Sequence, residues 1–476
     1  MHSFAVIGGG FSGINAAIQI KKVYPHSKLV LFEQGSQLGG AWYWNQYPGC
    51  VCDVPSHLYS LSHELNPDWE DHYPSAKSIQ KYLESVAMKH RLYETASEPE
   101  DSKLIIEFFD YVISATGPLH VPKIPKWKGM SLFKGEIIHT ARWTHGFNPA
   151  GKRIAVVGTG ASAVQVIPEL HKVSKTLTVF QRHASWVDKK KEYKYSAIAK
   201  WIFKYIPFAM KLWRLYIYLG QEIGYLAFLT RNPIGRAINY LITKDMTLFL
   251  HTNVKDRLKQ KLLLPTYPAG ARRITPSNHY LKTIASPSTT LISGDPISYL
   301  TENSIVTEGG VRISVDAIVL ATGFELIDVF THYKVLGRST DGIKSPAELS
   351  QTLSPCPKAY MGTLVPDFPN FFTLLGPNLG FGHQTVLLPM ELQMEYVMKL
   401  IQSARRDGRS RIEITRDAVE RWNEFLKDGF ERTVWKSDQS SYYFNQEGSN
   451  FTLWPYSSLY MQWIFGKVPQ LSDFIE

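Results

Sequence analysis

Cysteine is nearly absent from this chain. Three thiols in 476 residues, Cys50, Cys52 and Cys356, cannot build a disulfide framework. None falls in the paired CxxC spacing of a zinc site, so no metal is expected. So low a count fits a reducing compartment, and a cytoplasmic location is the expectation. Long apolar runs are missing too. The longest, Leu215 to Leu229, is interrupted by Gln221 and Glu222 and bounded by Arg214 and Arg231. It falls short of the ~20 residues that a bilayer-spanning helix needs. Ser3-Phe4-Ala5-Val6-Ile7 is already strand-like and no charged, then apolar, leader precedes it, so a secretory signal is not expected. The net charge of +10 comes without any nucleic-acid-binding module, and no nucleic-acid partner is expected. A phosphate-rich cofactor, together with an anionic membrane surface, accounts for the cations more economically.

What is present is an ordinary globular composition, 44% apolar and 20% charged, in a chain too long for one core. The first segment reads strand, glycine turn, helix, strand. Phe4 to Ile7 is apolar, Gly8, Gly10 and Gly13 form GxGxxG, Ile14 to Val23 carries apolar residues at helical spacing, and Leu29 to Phe32 ends at Glu33. The first glycine permits a tight turn, the second admits a pyrophosphate, and the third lets helix and strand pack closely. Glu33 lies about twenty residues beyond the last glycine, where an acid accepts ribose hydroxyls.

A second unit of the same kind follows. Arg153 to Val157 reads as a strand, Gly158-Thr159-Gly160-Ala161-Ser162-Ala163 is a GxGxxA variant, Val164 to Leu170 a helix, and Leu177 to Phe180 a strand. That strand ends on Gln181 and Arg182, and a cation there favours a 2′-phosphate, hence NADPH over NADH. Two unlike nucleotide sites in one chain point to a flavin reduced by a nicotinamide. Ala115-Thr116-Gly117 and Ala321-Thr322-Gly323 each close an apolar run, Tyr111 to Ser114 and Ala317 to Leu320, and each marks a strand returning to its nucleotide unit.

The fold expected is α/β, with two Rossmann-like dinucleotide-binding domains, for FAD and NADPH, and a helical insertion. Residues 1–140 form the first part of the FAD domain. Residues 141–325 form the NADPH domain, with the insertion at about 189–265, and residues 326–476 complete the FAD domain. The insertion is aromatic and basic, with Trp201, Phe203, Tyr205, Phe208, Trp213 and Tyr216 following a cluster at Lys189, Lys190, Lys191 and Lys194. Two readings stand: helices that cap an apolar substrate cavity, which is preferred because aromatic stripes usually face a core, and helices that also rest on a membrane.

A family resemblance rests on further segments. Gly39-Gly40-Ala41-Trp42-Tyr43-Trp44-Asn45-Gln46-Tyr47-Pro48-Gly49, followed by Asp53, resembles the flavin-edge loop of class B flavoprotein monooxygenases, most of all the type I Baeyer–Villiger monooxygenases. Phe133-Lys134-Gly135, His139 and Trp143 are similar to that group's FxGxxxHxxxW fingerprint. The likeness continues through Leu375-Gly376-Pro377-Asn378 and Thr452-Leu453-Trp454-Pro455.

The resemblance implies a reduced flavin that takes up oxygen as a C4a-peroxyflavin, shielded by bound NADP⁺, with an apolar ketone and molecular oxygen as partners. It makes Arg273 the arginine that stabilises the peroxy anion, Asp53 the aspartate that tunes it, and Arg272 a cation on the 2′-phosphate. It assigns Ala41, Trp42, Tyr43, Trp44, Asp53, Tyr59 and Asn378 to cofactor binding. These roles make chemical sense: a guanidinium keeps its proton beside an anion, and a carboxylate fixes its orientation. His139 and Trp143 read as braces of the linker. Oxygenation of a nitrogen or sulfur atom, and a poorly coupled NADPH oxidase, are the alternatives. A disulfide reductase is disfavoured, because Cys50 and Cys52 lack the redox spacing.

The chain departs from the family pattern in three places. Thr144 follows Trp143, Gln439-Ser440-Ser441-Tyr442-Tyr443 replaces Cys-x-Ser-Trp-Tyr, and the stretch from Tyr93 to Phe108 is short, offering only Leu104 to Phe109 as a strand.

Overall fold

The computed structural model describes residues 2–97, 106–326, 333–339, 346–436, 441–445, 447–467 and 469–475. In chain order the first unit contains β1 (Ser3–Ile7), α1 (Phe11–Val23), β2 (Lys28–Phe32), α2 (Ala41–Trp44), α3 (Ala76–Lys89), β3 (Ala96–Ser97) and β4 (Tyr111–Ser114). The second begins with β5 (Glu136–His139), β6 (Arg153–Val157), α4 (Ala161–His171) and β7 (Thr176–Gln181). The insertion follows as β8 (Val187–Asp188), α5 (Ala197–Tyr205), α6 (Ala209–Gly224), α7 (Pro233–Asn253), α8 (Arg257–Leu263) and β9 (Thr275–Pro276). The second unit resumes with α9 (Tyr280–Ala285), β10 (Thr289–Ser293), β11 (Ile297–Leu300), β12 (Ser304–Thr307), β13 (Arg312–Ser314) and β14 (Ala317–Leu320). The chain ends through β15 (Leu336–Ser339), β16 (Pro346–Glu348), α10 (Leu349–Leu353), β17 (Phe371–Thr373), α11 (Leu387–Arg406), α12 (Arg416–Phe430) and α13 (Ser458–Gly466).

Two five-stranded sheets, parallel at every pairing, carry the architecture, in the orders β17-β4-β1-β2-β3 and β10-β7-β6-β14-β5. Their central strands are short continuous apolar runs because helices and loops cover both faces, as parallel sheets require. Phe4, Val6, Ile154, Val156 and Val319 are all buried. In both sheets the glycine-bearing strand sits centrally, and the order reverses beside it between β1 and β4 and between β6 and β14. Such a reversal opens a crevice at the strands' carboxyl ends. This is the expected α/β fold with two Rossmann-like units and a helical insertion. The second sheet starts slightly earlier than residue 141, since β5 pairs with β14. The last third of the chain returns to the first unit: β17 pairs with β4, and α11 packs on α1, where Ser12 Oγ donates to Met390 Sδ at 3.5 Å.

Two expectations are corrected. Of the strand expected at Leu104 to Phe109, residues 104–105 lie outside those described, and Ile106 to Phe109 form no strand. Side chains alone tie this stretch to β2, with Lys28 paired to Glu107 and Phe32 edge-on to Phe109, and Phe108 is 86% exposed. The second concerns the aromatic helices, expected to turn their stripes into a core: Phe203, Trp213, Tyr218, Tyr225 and Phe228 do pack on it, and a second set of residues does not. On α5, Ile198, Trp201, Ile202 and Tyr205 share a face at helical spacing, and that face is exposed. Ala199 and Phe203 pack inward instead. On α6, Leu212, Leu215, Tyr216, Leu219 and Ile223 repeat the pattern, and only Ile217 and Glu222 are buried. Periodicity shows which residues share a face but not whether anything covers it. Among the described residues no helix is long and apolar enough to cross a membrane.

Candidate active site

The two glycine turns are built alike. Gly8 and Gly158 lie in the left-handed region, at φ +106° and +120°. A Cβ on Gly8 would sit 2.6 Å from the Ala115 carbonyl oxygen, and one on Gly158 would sit 2.4 Å from that of Ala321. The amides match as well: Gly8 N–H donates to Phe32 O at 2.7 Å and Gly158 N–H to Phe180 O at 3.0 Å. Ala115 and Ala321 donate to Ile7 O and Val157 O at 2.7 and 2.9 Å. A Cβ on Gly13 would fall 1.8 Å from Gly8 O, so α1 lies directly on the turn. In the second unit the buried Ala163 takes the place of the third glycine, with half-buried Ser162 before it. Gly10 and Gly160 cap α1 and α4, and neither helix has an acid in its first turn. Bare amides at a helix start form a cradle for a phosphate.

Glu33 marks the first site. Its Oε2 accepts from Gly9 N–H at 2.6 Å and its Oε1 from Gly35 N–H at 2.7 Å, which sets the carboxylate at the mouth of the glycine turn. At the matching place in the second unit Gln181 turns inward, its Nε2 donating to Leu262 O at 2.7 Å and Ser293 Oγ at 3.0 Å. Arg182 is the exposed residue that follows. Thr159 ties the second turn to the chain beyond β7, donating to His183 O at 2.8 Å and accepting from Ser185 Oγ at 2.7 Å.

The aromatic loop joins the two units. Gly39 N–H donates to Gly9 O at 2.9 Å, bringing α2, and with it Ala41, alongside the first glycine turn. Trp42 Nε1 donates to Tyr59 Oη at 3.1 Å, Tyr43 Oη and Ser36 Oγ are hydrogen-bonded at 2.9 Å, and the guanidinium of Arg142 lies over the Trp44 ring at 4.5 Å. Gln165 on α4 then accepts from Tyr47 Oη at 2.8 Å and donates to Val51 O at 2.9 Å. That glutamine belongs to the second nucleotide helix, and it fastens the first unit's loop.

Three residues beyond Cys50, Asp53 meets Arg273. Arg273 Nε donates to Asp53 Oδ2 at 2.7 Å and Nη2 to Oδ1 at 2.5 Å. The aspartate side chain is 18% exposed and the arginine 33%. Burial would raise the Asp53 pKa, but the charge and hydrogen bonds of Arg273 outweigh it and hold the carboxyl below its usual range. The Asp53 charge in turn holds the guanidinium well above its own. Both partners are ionised at any ordinary pH. The pair engages Nε and Nη2 and leaves Nη1 outside it.

Both sides of the pair are anchored through backbone. Cys52 N–H donates to Pro74 O at 2.9 Å and Ser56 N–H to His72 O at 2.7 Å, which fixes the Asp53 loop against the chain before α3. On the other side β9 pairs with β8 just after Arg273. The preceding turn is held by three side-chain donors: Trp186 Nε1 to Tyr267 O at 2.9 Å, Asn239 Nδ2 to Ala269 O at 2.8 Å and Trp435 Nε1 to Gly270 O at 2.8 Å. Arg272 lies over the Tyr267 ring at 4.3 Å. Tyr442 and Tyr443 lie close enough to Arg273 to act on its charge. Gln439 and Ser440 of that same motif lie outside the described residues.

The other motif residues make hydrogen bonds within the fold. Asn378 N–H donates to Phe451 O at 2.8 Å and its Nδ2 to Asn450 O at 2.8 Å, so the two C-terminal motifs clasp each other. The side-chain amide N–H of Asn378 is thus committed to backbone. His139 ends β5, accepts from Ala141 N–H at 3.0 Å through Nδ1, and is pushed down to about 4 by burial. It is a neutral residue inside the linker. Gln165, Trp186, Asn239 and Trp435 carry no sequence motif, and sequence reasoning missed them.

Two dinucleotide crevices side by side, with an arginine–aspartate pair at the junction, define the flavin-binding monooxygenase class. Residues 6–73 match the NAD(P)-binding Rossmann-like domain, and residues 75–206 match the flavin-binding monooxygenase-like family. The chain is 34% identical to a Baeyer–Villiger monooxygenase of Pseudomonas aeruginosa over 95% of its own length and 87% of that protein. It is 33% identical to a Baeyer–Villiger monooxygenase of Streptomyces coelicolor, covering 95% and 88%. The fold is similar to an OTEMO complex with FAD and NADP, at a TM-score of 0.83 and 23% identity over 98% and 97% of the two chains. It is equally similar to a closed cyclohexanone monooxygenase, at 0.83 and 24% over the same shares. The chain belongs to the Baeyer–Villiger monooxygenase family.

Proposed function

We propose that the chain binds FAD in the first nucleotide unit and NADPH in the second, and converts an apolar ketone to the corresponding ester or lactone. Ketone, O₂, NADPH and a proton give ester, NADP⁺ and water. The residues fit these cofactors. The Gly8-Gly10-Gly13 turn with Glu33 suits the adenosine half of FAD, and the aromatic loop with Tyr59 suits its far end. The Gly158-Thr159-Gly160 turn followed by Arg182 suits NADPH, with Arg272 as a second cation. One relative in the fold comparison holds FAD and NADP together.

The observation that carries the reading is the bidentate pair of Arg273 and Asp53. Bound flavin supplies the activation of molecular oxygen. Arg273 supplies a permanent positive charge for the anion that oxygen transfer develops, and polarises the carbonyl of the ketone. Asp53 holds two of its nitrogens, so the guanidinium faces one way and does not fold back into solvent. The test is direct: purified, FAD-loaded protein is given NADPH and a panel of ketones and sulfides in an oxygen electrode, with products identified by mass. Ester formation tied to NADPH and oxygen use is the expected result. Consumption of NADPH that yields only hydrogen peroxide with every ketone would overturn it.

A further inference from the structure

We infer that the α5–α6 hairpin is a docking surface for an anionic phospholipid bilayer, on which the enzyme rests without spanning it. The two helices present apolar stripes to solvent at the i, i+3, i+4, i+7 spacing that normally faces a core. The turn between them continues the stripe: Ile206 and Phe208 are exposed, the latter at 70%. Phe208 also holds a left-handed backbone at φ +65°, a conformation uncommon for a residue with a side chain. Trp201, Tyr205 and Tyr216 supply the amphipathic rings that settle at a membrane's headgroup level.

Charge selects the occupant. From Tyr193 to Lys244 the cations, apart from the inward-turned Arg214, are Lys194, Lys200, Lys204, Lys211, Arg231, Arg236 and Lys244, and Glu222 is the one acid. Glu222 is buried and accepts from Ser458 N–H at 3.0 Å, so it faces the fold rather than the surface. A groove of about 300 Å³ at the hairpin turn is lined by Leu65, Phe203, Lys204, Tyr205, Phe208 and Lys211. Two ammonium groups beside an apolar slot match a phosphate headgroup above an acyl chain. A second copy of this chain fits poorly, because a symmetric contact would set lysine against lysine. The hairpin reaches into the enzyme as well: Arg214 on α6 donates to the carbonyls of His57, Leu58 and Ser60 at 2.7, 3.1 and 2.9 Å, next to Tyr59, the acceptor for Trp42 of the aromatic loop.

The experiment is vesicle co-sedimentation of the FAD-loaded protein. Vesicles of phosphatidylcholine alone are compared with vesicles carrying phosphatidylglycerol. We expect about tenfold stronger partition onto the anionic vesicles, lost at high salt. The Trp201→Ser, Phe208→Ser, Tyr216→Ser triple variant loses binding, as does Lys200→Glu, Lys204→Glu, Lys211→Glu, each with an unchanged melting temperature. Quenching of wild-type tryptophan fluorescence by brominated acyl chains gives the same answer without any variant. A wild-type protein that stays in the supernatant with both vesicle types overturns the proposal. So does a dimer, seen by light scattering, that the serine variant splits while vesicle binding is absent. None of these readouts depends on turnover, so failure here is separate from failure of the ketone reaction.

Discussion

The indole of Trp435 donates to the carbonyl of Gly270 at 2.8 Å, three residues before Arg273. Trp435 is fully buried, so its hydrogen bond is the polar partner that carbonyl has in a dry surrounding. Trp435→Phe keeps the ring and removes the donor. Leaving a buried acceptor unpaired costs about 1–3 kcal/mol. Because that cost falls on the turn that aims Arg273, kcat should drop about tenfold, with little change in KM for NADPH. Gly270→Ala is harsher, since its Cβ would lie 2.1 Å from Phe228 Cε1 at φ +87°. A loss of about 2–4 kcal/mol in chemical denaturation is expected.

Arg273→Ala should abolish ester formation while NADPH is still consumed, with hydrogen peroxide in place of product. Loss of one preorganised donor costs at least about 100-fold in kcat. Arg273→Lys recovers little, because a single ammonium cannot match both Asp53 oxygens. Sulfide oxygenation should survive better than ketone oxidation in either variant. Equal loss of the two reactions would remove Arg273 from carbonyl polarisation.

Arg182→Ala tests nucleotide choice. If its guanidinium pairs with a 2′-phosphate, KM for NADPH rises about 10- to 100-fold while KM for NADH stays put. A shift in both to the same degree, or in neither, would make Arg182 an ordinary surface cation.

Three buried histidines give stability a pH dependence. His57, His72 and His139 are each pushed from 6.5 to about 4, chiefly by burial. Lowered folded pKa values mean that the unfolded chain takes up protons first. Stability is therefore full above pH 6.5 and declines as pH falls from 6.5 toward 4, by about 1.4 kcal/mol per pH unit for each histidine. Melting temperature recorded from pH 8 to pH 5 should be flat and then fall. His139→Asn should make the fall shallower, and a level curve across the whole range would contradict the assignment. Asp53 adds nothing in that window, since Arg273 lowers its pKa further from it.

Both glycine turns were legible in the sequence because everything they need is local. Gly8, Gly10, Gly13 and Glu33 announce strand, turn, helix and acid within one short stretch, and the second unit repeats the pattern with Arg182. The Arg273–Asp53 pair was reachable only through family likeness, since the two lie 220 residues apart and no spacing rule joins them. Gln165, Asn239 and Trp435 were invisible for a different reason. Each donates to backbone carbonyls of segments far away in the chain, and a lone polar or aromatic residue announces no such partner. The stripes of α5 and α6 were visible, but their exposure depends on what the rest of the chain leaves uncovered.

β5 precedes β6 in the chain yet occupies the far edge of the second sheet, beyond β14. Ala317 to Leu320 is buried along its whole length, so a fragment cut at residue 141 would bare a fully apolar strand edge, the kind that recruits other chains. The nucleotide halves are therefore not separable cassettes. Any recombination that exchanges the second half for a relative's has to take Glu136 to His139 along with it, and a junction placed inside the linker would give an insoluble chimera.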